Sequence, residues 1–305
     1  MEKRNIETDA ANKEPPELKH FQDLEGLVES RRHGNMDDDP FFEINLRAAF
    51  AKCFDFNVAV RESLLDPRVV FCLPSLRGIC EDLIVFGFLK QIDVADRDRL
   101  LRLLATHGMA TRARIQSDFF ATVRPQQKVI HRILSDSEIT DLENEIRSIW
   151  KANGWANLNR GVMPKTRQIA EKQGSDILLC LYDFLYRLTS GTVHFDVQSL
   201  VRTGWGEHPE YTFSTQHFNL YYAGFARAYG AFLFVSYFEM FPDLLSTTEE
   251  ETASVDAIRD WLNYVPRWPE MVTFEELNIK PPEHNIFVSA TIATIQKSVR
   301  PRLLG

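Results

Sequence analysis

No CxxC pair occurs in this chain, and its four cysteines, Cys53, Cys72, Cys80 and Cys180, all sit in apolar stretches. That disfavours a zinc ribbon, a dithiol redox motif or a secreted disulfide framework, and it fits a reducing cytoplasm. A glycine-rich phosphate loop, a GxSxG elbow and a Cys/His nucleophile signature are also missing, so nucleotide hydrolase, serine hydrolase and protease readings fall behind. Carboxylates and histidines do not gather at ligand spacing: His194 and Asp196 form an HxD with no third ligand, and neither metal nor cofactor is expected. The opening residues, MEKRNIETDAANKEPPELK, hold no apolar run, which predicts neither signal peptide nor anchor. Internal repeats and strand-period alternation of useful length are absent too.

One long apolar segment remains, HFNLYYAGFARAYGAFLFVSYFEMF at 217–241. Arg227 interrupts it, and Asn219 and Glu239 lie near its ends, so it reads as a buried helix rather than a membrane span. No membrane partner is expected.

What is present is an ordinary globular balance, 44% hydrophobic and 26% charged over 305 residues, enough for a sizeable core. The net charge of −8 is unevenly spread. Residues 1–40 hold 11 Asp/Glu against 6 Lys/Arg, so most of the excess lies there. That acidic segment reads as a mobile tail, or as a short docking helix around FQDLEGLVES, with folded structure starting near Phe41.

From Phe41 on the pattern is helical. EINLRAAFAKCFDFNVAVRESLL repeats apolar groups at three- and four-residue steps until Asp66-Pro67 breaks it. A second, central helix follows over 68–92. Residues 97–132 read as one or two helices, broken at His107–Met109 and ending near Arg124-Pro125. SDSEITDLENEIRSIWKANG is a helix capped by Ser135 or Ser137 and stopped at Gly154. A short helix over 165–172 precedes a longer one, SDILLCLYDFLYRLTSGTVHF, then a loop or hairpin over 200–215 and the apolar helix. TTEEETASVDAIRDWLNYV reads as a surface helix, and FVSATIATIQKSV as a last one. The expectation is therefore an all-α helical bundle: an acidic tail at 1–40, a core at 41–245, and an extension at 246–305 packed on it.

Two groups of residues bear on function. The first is a basic stripe, Arg97, Arg99, Arg102, Arg112, Arg114, Arg124, Lys128 and Arg132, set against only Asp98 and Asp118. It is either a solvated helix face or the electrostatic footprint of a phosphate backbone, and its members are candidate RNA-binding residues. The second is Arg187 and His194, seven positions apart in YRLTSGTVHF. A helix running through both puts them on one face, roughly 10 Å apart. Arginine offers a rigid fork of donors to phosphate, and histidine exchanges protons near neutral pH. Together they suffice for metal-independent RNA cleavage, with His194 as acid/base and Arg187 as phosphate binder. Arg77 and Glu81, four apart on an apolar helix, read as a buried ion pair or as a supporting polar centre for that site.

The Arg-x6-His spacing resembles the motif of HEPN-superfamily ribonucleases, which are small all-α bundles, commonly dimeric, found in toxins and phage-defence effectors. The surrounding text resembles, more broadly, a bacterial family of uncharacterised helical proteins over residues 45–240. LPSLRGICEDLIVFGFL looks like its early Arg-x-x-x-Glu helix, and MPKTRQIAEKQGSDILLCLYDFLYRLTSGTVH like its later histidine-bearing helix. The resemblance implies an endoribonuclease acting in defence or as a toxin in the bacterial cytoplasm, with RNA, a second copy or a defence-system protein as partner. The alternative, from another class, is a non-catalytic helical interaction or ligand-sensing module. There Arg77, Glu81, Arg187 and His194 form a structural polar centre.

Overall fold

Apolar residues at helical spacing fold as that spacing predicts. The computed structural model describes residues 17–270, except 36, 63–66, 130–132, 156–157, 159–160, 192–203, 208–209, 215, 217–218 and 267. The described chain is all-α apart from one hairpin. Its helices are α1 (Leu18–Asp23), α2 (Glu25–Arg32), α3 (Phe41–Glu62), α4 (Leu73–Leu89), α5 (Val94–Val123), α6 (Asp136–Ala152), α7 (Thr166–Lys172), α8 (Asp176–Leu181), α9 (Arg187–Ser190), α10 (Asn219–Met240) and α11 (Glu249–Tyr264). A 3-10 turn, Pro67–Cys72, leads into α4, and a π-helical turn, Tyr182–Tyr186, joins α8 to α9. Strands β1 (Gly204–Glu207) and β2 (Glu210–Phe213) pair antiparallel, so the segment expected as loop or hairpin is a hairpin.

The described chain forms two compact units that interleave in sequence, whereas the reading above divides it linearly. One comprises described residues of 1–33, 48–83 and 180–305; the other those of 34–47 and 84–179.

The core of the first unit is aromatic. Phe50 stacks on Phe234 at 5.3 Å between ring centroids, and Phe21 reaches the same ring at 5.1 Å. Helix α10 is buried on nearly every side, from Ala223 to Phe238, which is the behaviour of a helix apolar all round. Gly230 allows its close packing: a Cβ there would lie 2.8 Å from the Phe56 ring and 2.9 Å from Asn57 Oδ1. Residues 1–16 lie outside the described ones, but packed helices are already present from Leu18, ahead of Phe41. The reason is local. Leu18, Phe21, Leu24, Leu27 and Val28 supply a buried stripe at three- and four-residue steps inside an acidic stretch.

In the second unit Trp150 is fully buried, donates to the Val162 carbonyl at 2.9 Å and faces Phe88 at 6.0 Å. Ser135 caps α6 in a reciprocal box with Glu138, and Gly154 ends it in the left-handed region at φ 81°. The break expected at His107–Met109 is corrected: α5 is one continuous helix of 30 residues. Gly108 sits within it, and His107 lies 3.4 Å from Glu143, so contacts to α6 carry the helix through a residue that alone disfavours it.

Candidate active site

Arg77 and Glu81 sit one turn apart on α4, and both are half-buried. The guanidinium of Arg77 donates to the Tyr186 hydroxyl at 2.8 Å and lies 4.7 Å from the centre of that ring. One turn further, the Cys80 thiol approaches the Leu181 carbonyl at 3.7 Å. Helix α4 is thus bound to the π turn that precedes Arg187.

That turn is the local irregularity of the site. The Arg187 amide reaches the Tyr182 carbonyl five residues back, so one extra residue is accommodated before α9 begins. Side-chain hydroxyls share the carbonyls that the wider turn leaves open: Thr189 donates to the Leu185 oxygen and Ser190 to that of Tyr186, each at 2.7 Å. Tyr182 stacks on Tyr186 at 4.8 Å, and Phe184 rests 5.3 Å from Tyr229 of α10. A π turn of this kind is rare and recurs where a helix must aim a side chain off its regular face.

Arg187 follows at once. Its side chain is 61% exposed and pairs, among the described residues, with Asp183 at 3.6 Å. The charge is solvent-facing, and among the described residues it is only loosely compensated. His194 lies outside the described residues.

Burial pushes the Cys80 thiol up, with the neighbouring Glu81 charge adding to the shift, and burial does the same to Cys53. Neither is poised as a thiolate nucleophile. Among the described residues no three His, Cys, Asp or Glu side chains come together as a metal cage.

The basic stripe divides. Arg97 lies 4.1 Å over Phe42, Arg102 lies 4.7 Å over Phe41, and Arg99 pairs with Glu145 at 2.7 Å. Arg112, Arg114, Arg124 and Lys128 are exposed, and Arg132 is outside the described residues.

A polar centre that the sequence reading missed lies in the first unit. Glu17 and Arg61 are fully buried, 4.0 Å apart, and Arg227 forms a two-pronged pair with the same carboxylate. Arg61 also donates to Asn57 Oδ1 at 2.8 Å and to the Arg227 carbonyl at 3.2 Å, and it lies 4.1 Å over the Phe21 ring. Burial pushes Arg61 down to about 9, which still leaves it cationic at neutral pH. Partners 210 positions apart offer no spacing signal; only Arg227 inside an apolar helix hinted that a buried carboxylate must exist.

No described helix is long and apolar enough to cross a membrane. Comparison with curated proteins and with solved structures finds no match. A family model, described as a family of unknown function (DUF5677), matches residues 46–210, a stretch that runs from α3 through Arg77, Glu81, Arg187 and His194. With more than half of its length covered, the chain belongs to that family of unknown function.

Proposed function

We propose that this protein is a HEPN-like, metal-independent endoribonuclease of the toxin or phage-defence type, with its reacting centre at Arg187 and His194. The observation that carries the reading is Arg187 itself: an exposed guanidinium, loosely paired among the described residues, at the end of a π turn that Arg77 anchors through Tyr186. A purely structural arginine in an apolar helix would be expected packed and fully paired.

In this reading His194, as a neutral imidazole, accepts the ribose 2′-OH proton. The 2′-oxygen attacks the adjacent phosphorus, the P–O5′ bond breaks, and the 5′-oxygen leaves as a hydroxyl with a proton taken from water. Arg187 stabilises the charge that builds on the phosphorane oxygens, and the products carry 2′,3′-cyclic phosphate and 5′-OH ends. Arg77 and the π turn position Arg187. A second copy or a defence-system protein would act as partner.

The test is cleavage of a mixed RNA pool in excess EDTA by wild type, His194→Ala and Arg187→Ala, with melting temperatures recorded for all three. Cleavage confined to the wild type, with equal melting temperatures, supports the assignment. The alternative, an interaction module with a structural polar centre, is favoured by the half-buried seat of Arg77 on Tyr186. It expects no cleavage and a clearly lower melting temperature for His194→Ala.

A further inference from the structure

Twenty residues, 109–128, contain four basic side chains and a single acid, Asp118. Among the described residues of the stripe these four are exposed, as are Arg99 and Arg102, but Arg97, Arg99 and Arg102 already face Phe42, Glu145 and Phe41. Arg112 and Arg114 lie in the C-terminal half of α5, Arg124 caps it and Lys128 follows in the next turn; that helix half exposes large apolar groups: Met109 at 54%, Ile115 at 59%, Phe119 at 56% and Val123 at 53%.

The arrangement of that face selects its ligand. Met109, Arg112, Gln116, Phe119 and Val123 follow one another at three- and four-residue steps, so they form one ridge along α5. A cation and an amide thus stand in the middle of the apolar stripe. A lipid surface would draw the Arg112 charge towards hydrocarbon, and a dry contact with a second copy would bury it against an equally basic partner. The four apolar side chains, each about half exposed, also offer well under the roughly 800 Å² per partner that a stable dimer uses. A cation, Arg112, and an aromatic ring, Phe119, two turns apart on one ridge suit a single-stranded nucleic acid, whose phosphates take the cation and whose unpaired bases stack on the ring.

We infer that the C-terminal half of α5 and the turn that follows it form a binding surface for single-stranded RNA, with Phe119 as the stacking platform and Arg112, Arg124 and Lys128 as phosphate contacts. Only the choice of RNA as the ligand rests on the ribonuclease reading.

The probe is a fluorescein-labelled, fully 2′-O-methylated single-stranded RNA, which binds but cannot be cleaved by 2′-OH attack. Anisotropy titrations of the full chain compare wild type with Phe119→Ala, Phe119→Leu and the double variant R112E/R124E, with melting temperatures alongside. All substituted side chains are exposed, so the fold should hold. The proposal expects both Phe119 variants to weaken binding about ten-fold and R112E/R124E more, with a shallower salt dependence, and the same sequence as a duplex to bind less tightly. Retained binding by Phe119→Leu would replace stacking with apolar contact and overturn the platform. Wild type that fails to bind, or binds like the double variant, overturns the surface altogether. Loss of self-association, or of binding to anionic vesicles, in the Phe119 variants without any RNA effect would assign the face to a second copy or to lipid. Binding with no cleavage of unmodified RNA would remove the ribonuclease reading and leave this one standing.

Discussion

Arg77 and Tyr186 are joined twice, by a hydrogen bond of 2.8 Å from guanidinium to phenol and by the approach of the same guanidinium to 4.7 Å from the ring centre. Tyr186→Phe removes the first and keeps the second. It should cost about 1 kcal/mol in urea unfolding, the usual net worth of one hydrogen bond. Arg77→Ala removes both and should cost about 2 kcal/mol, since the phenol also loses its donor. If Arg77 positions Arg187, Tyr186→Phe should also lower kcat of RNA cleavage while leaving KM nearly unchanged.

Glu17→Ala leaves the buried Arg61 and the half-buried Arg227 without their carboxylate. The expected loss is about 3 kcal/mol or more, as for other broken buried pairs. Lys19→Ala, two residues away and exposed, should stay within about 0.5 kcal/mol. Equal effects in chemical denaturation would mean that the centre does not hold residues 17–32 in place.

Two glycines should respond in opposite directions. Gly230→Ala places a methyl against Phe56 and Asn57 and should destabilise by about 1–3 kcal/mol. Gly108→Ala meets nothing within 4 Å on a helix interior and should stabilise by about 0.5–1 kcal/mol. Thermal melts of both variants check the pair.

Acid should unfold the protein partly through Asp39 and Glu138. The Asn35 amide, with Arg47 beyond it, holds the Asp39 carboxyl below its ordinary 3.8, and the Ser135 hydroxyl and amide hold Glu138 below 4.5. Folded values below unfolded ones contribute stability that is complete above the unfolded values and is lost as the pH falls through the folded ones. Urea midpoints should therefore drop below about pH 4, and the drop should be smaller in Asp39→Asn.

Helices with their own signals were legible in the chain. Ser135 or Ser137 and Thr247 or Thr248 marked two starts, of which the structure uses Ser135 and Thr248, and Gly154 marked one stop, because those effects act within a turn. The continuity of α5 through Gly108 was not, since contacts to α6 outweigh a local preference worth about 1 kcal/mol. Arg187 and Arg77 were singled out from spacing and charge. The bond from Arg77 to Tyr186 was not legible, because neither the π turn nor a partner 109 positions away leaves a periodic trace.

The bond between Glu17 and Arg227 also has a meaning in time. At roughly 5–20 residues per second, a ribosome needs about 10–40 s to pass from one residue to the other. Throughout that interval the first helices of the chain exist without the arginine that will neutralise Glu17, and Phe21 exists without Phe234. The nascent protein must therefore carry an unfinished apolar stripe until its last third emerges. A chaperone that shields residues 17–32 during synthesis should raise its yield more than one supplied after release.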